Sequence, residues 1–340
     1  LLLPEYLQNG YWKFYFIDGV SIFFVLSGFL IGGILLRIID TTNFTKKDLL
    51  NFWIRRWFRT IPNYMIILMG LLLYRILIFN DLQDFSFKYF FFIQNFSSRH
   101  PFFFSEAWSL GIEEWFYLLF PLTCYFLNKL LANKRYSILY SAIIFLIIPL
   151  ILRIIKFELK IGVNDFDEEF RKITIFRLDS LMYGIVGAYL YFFKTRLWSK
   201  YKYILLITGV ILLILINLNL SFAWIHWYMP LFFNVESIAI LLLMPYFSEL
   251  KTTRIKYLDL FFVFVSTISY SMYLLNLSIV SGILLPITNN SMGYRGLPRE
   301  DVFVHNYFLF WLYTIIGSYL LYYIYENRMT KLREKIKFIT

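Results

Sequence analysis

AWSLGIEEWFYLLFP, Ala107 to Pro121, sets two adjacent carboxylates, Glu113 and Glu114, in a run that otherwise reads as a membrane-spanning helix. An ionised side chain near the bilayer centre costs about 2.5 to 3.5 kcal/mol on insertion scales, so an acid there faces a polar cavity, a partner or a substrate path. Wound as a helix, the run aligns Ser109, Glu113 and Tyr117 at intervals of four, with Glu114 rotated towards Gly111 and Leu118. Two readings stand. The stripe is a polar lining, or the acids pair with an intramembrane arginine such as Arg75 or Arg177 and hold a bundle together.

Composition extends this reading to the whole chain. The 340 residues are 59% hydrophobic and 16% charged, with a mean hydropathy of +0.63, whereas soluble domains are about 45 to 50% apolar and about 25% charged. Apolar runs of about 20 residues, enough to cross about 30 Å of hydrocarbon, recur along the sequence. The prediction is an all-α, polytopic membrane helix bundle, a single domain over 1–340 with no appended soluble domain. Nine spans are expected near residues 17–39, 61–79, 107–127, 138–155, 175–193, 203–218, 230–247, 261–285 and 305–325. The one cysteine, Cys124, lies in an apolar run, which excludes an intrachain disulfide and suits inert packing.

Most of the 33 Lys and Arg fall after the first, third, fifth and seventh spans and in the C-terminal tail. The positive-inside rule makes those segments cytoplasmic, with the C-terminus, and puts the acidic loop Asn164 to Phe170 outside. The net charge of +11 then belongs to topology and membrane lipid, and requires no nucleic acid. A first span running inward leaves Leu1 outside with no helix to carry it across. The run Leu1-Leu2-Leu3 followed by Pro4 reads as the outer end of a preceding helix, so the expectation is a chain short of one N-terminal span, with ten in the intact protein.

Two further segments carry polar chemistry. Residues 40–60 form a cytoplasmic amphipathic segment: Thr45 and Asp48 suit a capping box, Leu49, Phe52, Trp53 and Trp57 give an apolar face, and Pro62 is expected to break it from the next span. Arg56 and Arg59, three apart, can present two guanidinium forks together, suited either to anionic lipid or to a phosphorylated ligand. In FRLDSLMYG, Phe176 to Gly184, Arg177 and Asp179 form either an internal network or a ligand contact. Isolated Glu236 reads as structural. A P-loop, an HExxH zinc pair and a GxSxG elbow are all absent, no metal is expected, and His100, His226 and His305 map near the outer membrane surface.

The ordered segments GVSIFFVLSGFLIG (Gly19 to Gly32), NFWIRRWFRTIPNY (Asn51 to Tyr64), AWSLGIEEWFYLLFP, FRLDSLMYG and ISYSMYLLN (Ile268 to Asn276) resemble the bacterial acyltransferase-3 family of integral-membrane acyltransferases. The resemblance implies transfer of an acyl group, most often acetyl, from acetyl-CoA or another acyl-CoA reached from the cytoplasm to a hydroxyl of a cell-surface or secreted glycan. It makes Arg56 and Arg59 the RxxR pair for CoA phosphates. Glu113 and Glu114 become the acidic pair at the reaction centre, and Arg177 and Asp179 an acceptor-side or structural element; Ser109 and Tyr117, from their place on the stripe, are the expected substrate-binding residues beside the acids. The family's base is a histidine on its first span, expected upstream of Leu1, and none of the three histidines present replaces it. Asn276 stands where many relatives carry His, and Asn cannot shuttle a proton near neutral pH.

By this reading the protein sits in the bacterial inner membrane and either acylates its acceptor directly or hands the group to a separate extracytoplasmic partner. The rival classes are a glycan or lipid transporter and a catalytically inactive sensor or scaffold of the same fold.

Overall fold

The computed structural model describes residues 18–42, 44–159, 161, 165–219, 225–250, 255–294 and 299–335; Leu1 to Pro4, Asn164, Lys251, Arg254, Lys337 and the His226 side chain lie outside them. Among the described residues there is no strand. The helices are α1 (Gly19–Thr42), α2 (Lys46–Phe79), α3 (Ala107–Leu130), α4 (Tyr136–Glu158), α5 (Leu178–Phe193), the short α6 (Thr195–Lys200), α7 (Lys202–Asn219), α8 (Ile225–Ser248), α9 (Lys256–Leu275), α10 (Leu285–Ser291), α11 (Arg299–Leu321) and α12 (Asn327–Lys335). A π-helical stretch, Asn276–Leu284, carries α9 into α10, and a second, Tyr322–Glu326, joins α11 to α12.

Among the described residues six helical stretches are long and apolar enough to cross a membrane, and α5 and α7 are shorter apolar helices. Helix α3 is not among the six, because two carboxylates dilute its hydropathy. Among the described residues these nine stretches coincide with the expected spans, and six of them have the length and hydropathy that crossing requires. Large aliphatic side chains such as Ile147, Ile148 and Ile151 on α4 point outward, as a lipid-facing surface allows.

Inside, packing is set by small residues and aromatic rings. Helices α1 and α5 make the most extensive contact in the bundle. A Cβ added to Gly28 would sit 1.9 Å from the Leu181 carbonyl oxygen, and one added to Gly184 would sit 2.0 Å from that of Val25. The two backbones touch where neither helix carries a side chain, the close approach that glycine permits between membrane helices. One core cluster gathers Phe24, Phe116, Phe120 and Leu181 from α1, α3 and α5; a second gathers Tyr64, Phe104, Leu110 and Phe310 around α2, α3 and α11. Helix α3 belongs to both, so it runs through the middle.

Helix α2 departs from expectation. The Thr45 and Asp48 capping box forms, with Thr45 N donating to Asp48 Oδ2 at 2.8 Å and Asp48 N to Thr45 Oγ1 at 3.3 Å. The helix then runs unbroken through Pro62 for 34 residues, about 50 Å at 1.5 Å per residue. The amphipathic segment and the second span are therefore one rod. Proline removes a single backbone donor, and inside a bundle neighbouring groups and packing hold the helix together, which overrides the local rule.

Between α2 and α3 the chain folds back as an aromatic hairpin around the 3₁₀ turn Phe87–Phe91. Tyr64 Oη donates to the Tyr89 carbonyl at 3.0 Å, while Gln94 Nε2 and Asn95 Nδ2 donate to the carbonyls of Ala107 and Trp108 at 3.0 and 2.9 Å. Glu106, fully buried, accepts from the backbone N–H groups of Leu277 and Ser278 at 2.7 and 2.8 Å. These bonds fix the start of α3, and with it the position of the acids one to two turns further on.

Candidate functional site

A cavity of about 410 Å³ runs between α1, α2, α3 and α9. Asp18, Gly19 and Val20 line one end, Arg56 and Arg59 the other, and Glu113, Tyr117, Ser27, Thr60, Tyr270 and Tyr273 the stretch between. A second cavity of about 510 Å³ continues from the arginine end, since Arg56 and Arg59 line both.

The helical stripe predicted on α3 is present. Tyr117 Oη donates to Glu113 Oε1 at 3.1 Å and lies 2.8 Å from Ser27 Oγ on α1. The Arg56 guanidinium lies 5.0 Å from the centre of the Tyr117 ring, so a cation and an acid share one phenol. Ser109 reaches the site indirectly, through a short hydrogen bond to Tyr273 Oη. Glu114 turns the other way, as its rotation from the stripe requires. It accepts from Thr60 Oγ1 at 2.6 Å and lines a third, mostly apolar cavity of about 320 Å³ with Trp57, Trp115 and Leu118. Thr60 thus separates two cavities: its side chain meets Glu114 on one side while its carbonyl accepts from Tyr270 Oη at 2.8 Å. Neither Arg75, placed over the Phe79 ring, nor Arg177 pairs with these acids.

At the other end the predicted Arg177 and Asp179 part company. Asp179 is fully buried and accepts both Nη atoms of Arg153, at 3.0 and 2.6 Å, with Asn234 Nδ2 at 2.9 Å. That arrangement clamps α4, α5 and α8. Arg177, also fully buried, lies 3.8 Å from the Phe233 ring centre and donates from Nη2 to Ser21 Oγ at 3.0 Å; Ser21 donates on to Glu236 Oε2 at 2.7 Å. Above this network Asp18 receives Nε and Nη2 of Arg171, each at 3.1 Å, a bidentate fork at the cavity end.

His100, in the hairpin, is buried against Tyr89 and engages the Phe104 carbonyl at 2.9 Å, and burial pushes its pKa down to about 4. His305 packs edge-on against Tyr294. Neither lines the central cavity. Among the described residues no group of three or more His, Cys, Asp or Glu is arranged to hold a metal. The cavity-lining residues that sequence reasoning passed over include Asp18 and the hydroxyls Ser27, Thr60, Tyr270 and Tyr273. These four hydroxyls all lie inside the quoted motifs, and Thr60 stands directly after Arg59.

The family model described as "Acyltransferase domain" matches residues 6–325. The chain is 33% identical over 132 residues to the peptidoglycan O-acetyltransferase OatA of Listeria monocytogenes, covering 34% of this chain and 21% of that protein. It is 34% identical over 137 residues to the O-acetyltransferase OatA of Staphylococcus aureus, covering 36% and 22%. A putative O-acetyltransferase of S. aureus strain COL is 29% identical over 287 residues, 77% of this chain and 46% of that protein. The matched segments therefore span from about a fifth to under half of these relatives' lengths. No solved structure matches.

Proposed function

Since this chain belongs to the acyltransferase-3 family of integral-membrane acyltransferases, we propose that it moves an acetyl group from acetyl-CoA to a hydroxyl of a cell-surface or secreted glycan. One observation carries the reading: a single cavity joins a pair of arginines to a buried acid and continues to the opposite end of α1. Guanidinium forks suit the donor's phosphates, and the space beyond them suits its pantetheine arm. The donor enters from the Arg56 and Arg59 end, which the positive-inside rule puts in the cytoplasm of a bacterial inner membrane. The acceptor enters past Asp18, from outside, directly or by way of a separate extracytoplasmic partner.

In the central stretch the acceptor oxygen attacks the thioester carbonyl. A C–O bond forms, the C–S bond breaks, and the hydroxyl proton ends on the departing thiolate, so the reaction is proton-neutral. Proton abstraction falls to a general base, the role for which the family resemblance expects a histidine. Glu113, fixed by Tyr117 and Ser27, orients that base and balances its charge. Glu114 holds Thr60 and the Arg-bearing turn of α2 in register. Tyr117 forms part of the wall that receives the substrates, and Ser109 backs that wall through Tyr273.

In the full-length protein, Glu113→Gln should lower kcat at least about a hundredfold with little change in acetyl-CoA KM, the scale of losing a positioned acid–base group. Arg56→Gln with Arg59→Gln should instead raise that KM. Release of CoA from acetyl-CoA in proteoliposomes, at saturating acceptor, measures both; unchanged kinetics in both variants would refute the assignment.

A further inference from the structure

The second cavity holds more positive charge than the RxxR pair accounts for. Asp48, Asn51, Arg55 and Arg59 recur at intervals of three to four along α2 and so share a face, and Ile34, Arg37 and Ile38 face them from α1. Four guanidinium groups, those of Arg37, Arg55, Arg56 and Arg59, line this one space. The single carboxylate there is already engaged: Asp48 Oδ2 accepts from Thr45 N at 2.8 Å, Thr45 Oγ1 at 2.7 Å and Thr42 Oγ1 at 3.0 Å. Arg37 stacks 5.6 Å from the Phe192 ring centre, and among the described residues neither it nor Arg55 forms an ion pair.

The four do not occupy equivalent places. Arg56 and Arg59 line both cavities and stand at their junction, whereas Arg37 and Arg55 line only the second, beyond the junction from Glu113. A ligand whose reactive end reaches Glu113 therefore meets two anion sites in series. Acyl-CoA carries two anionic centres in that order, a pyrophosphate and then a ribose 3′-phosphate, the latter with about −1.5 to −2 charge near pH 7.

Resting on the acyl-CoA reading above, we propose that Arg37 and Arg55 form a subsite for the donor's 3′-phosphate and select CoA over carriers that lack it. A phosphopantetheine arm on a carrier protein has one phosphodiester and no 3′-phosphate, so it fills the junction and leaves this subsite vacant. Asn51 adds a neutral donor and acceptor on the same face.

The test is equilibrium binding of CoA and 3′-dephospho-CoA to the full-length protein in phosphatidylcholine nanodiscs, where no anionic headgroup competes. Wild type should prefer CoA by roughly ten- to a hundredfold, the scale of charge-assisted hydrogen bonds to one phosphate. In the double variant Arg37→Gln with Arg55→Gln the preference should fall to near unity while affinity for 3′-dephospho-CoA is unchanged, which also reports an intact fold. Arg56→Gln with Arg59→Gln should weaken both ligands and keep the ratio. A wild-type ratio near unity, or a ratio that survives loss of Arg37 and Arg55, overturns the subsite alone. Failure of wild type to bind either ligand overturns the donor reading and the subsite with it. In discs carrying phosphatidylglycerol the CoA preference should persist; its loss there would assign the cavity to lipid headgroups and overturn the proposal.

Discussion

Single side chains decide what the bundle can tolerate. His100 titrates near 6.5 when unfolded and about 4 in place, because burial disfavours its charged form. Its contribution is whole above pH 6.5 and drains away as the pH falls towards 4, since the unfolded chain takes up the proton first; the loss reaches about 3 kcal/mol. Thermal unfolding in detergent should therefore show an acid-sensitive midpoint across that window, and His100→Gln should flatten it. Arg153 is a harsher case. Arg153→Met alone strands Asp179 among α4, α5 and α8 and should cost about 3 to 5 kcal/mol, with much of the loss regained when Asp179→Leu is added. The acids Glu113 and Glu114 were legible in the sequence because charge in an apolar run is conspicuous. Their partners were not, because a hydroxyl on an apolar helix can satisfy itself on the carbonyl four residues back, as Thr208 and Thr267 do, and so leaves no mark of its function. Thr60 does both, touching the Arg56 carbonyl at 3.3 Å while it donates to Glu114.

Between elements, the contact of α1 with α5 carries the strictest demand. Gly28→Ala places a methyl into the Leu181 carbonyl and can be accommodated only by parting the helices, a cost of about 1 to 3 kcal/mol as overpacking. Loss of folded yield and a lowered unfolding midpoint would register it, and a midpoint equal to wild type would show that the two backbones can separate freely. Helix existence was readable from span length and hydropathy, because the bilayer fixes both. The continuity of α2 was not, because proline is a local signal and the partners that hold the helix past Pro62 come from other parts of the chain. The same limit applied to the FRLDSLMYG segment: spacing set Arg177 beside Asp179, whereas the fold hands Asp179 to Arg153, an arginine from another helix that no motif singled out.

Across the whole molecule, the arginine and Asp18 ends must face opposite compartments if donor and acceptor arrive from opposite sides. Cys124 is fully buried and should stay silent to maleimides, so introduced cysteines can report sidedness without background. In intact cells a membrane-impermeant maleimide should label Ser98→Cys, and should label Lys129→Cys only after permeabilisation; equal labelling of both would contradict the orientation. The unbroken course of α2 adds a mechanical side to this geometry. Arg55, Arg56, Arg59 and Thr60 ride on one stiff shaft, so a twist or slide imposed by an anion at the guanidinium end cannot be absorbed before it reaches Thr60. There the shaft carries a crank with two pins, a hydroxyl on Glu114 and a carbonyl under Tyr270. A displacement of the guanidinium-bearing turn is thus also a displacement of the Thr60 contacts to Glu114 and Tyr270.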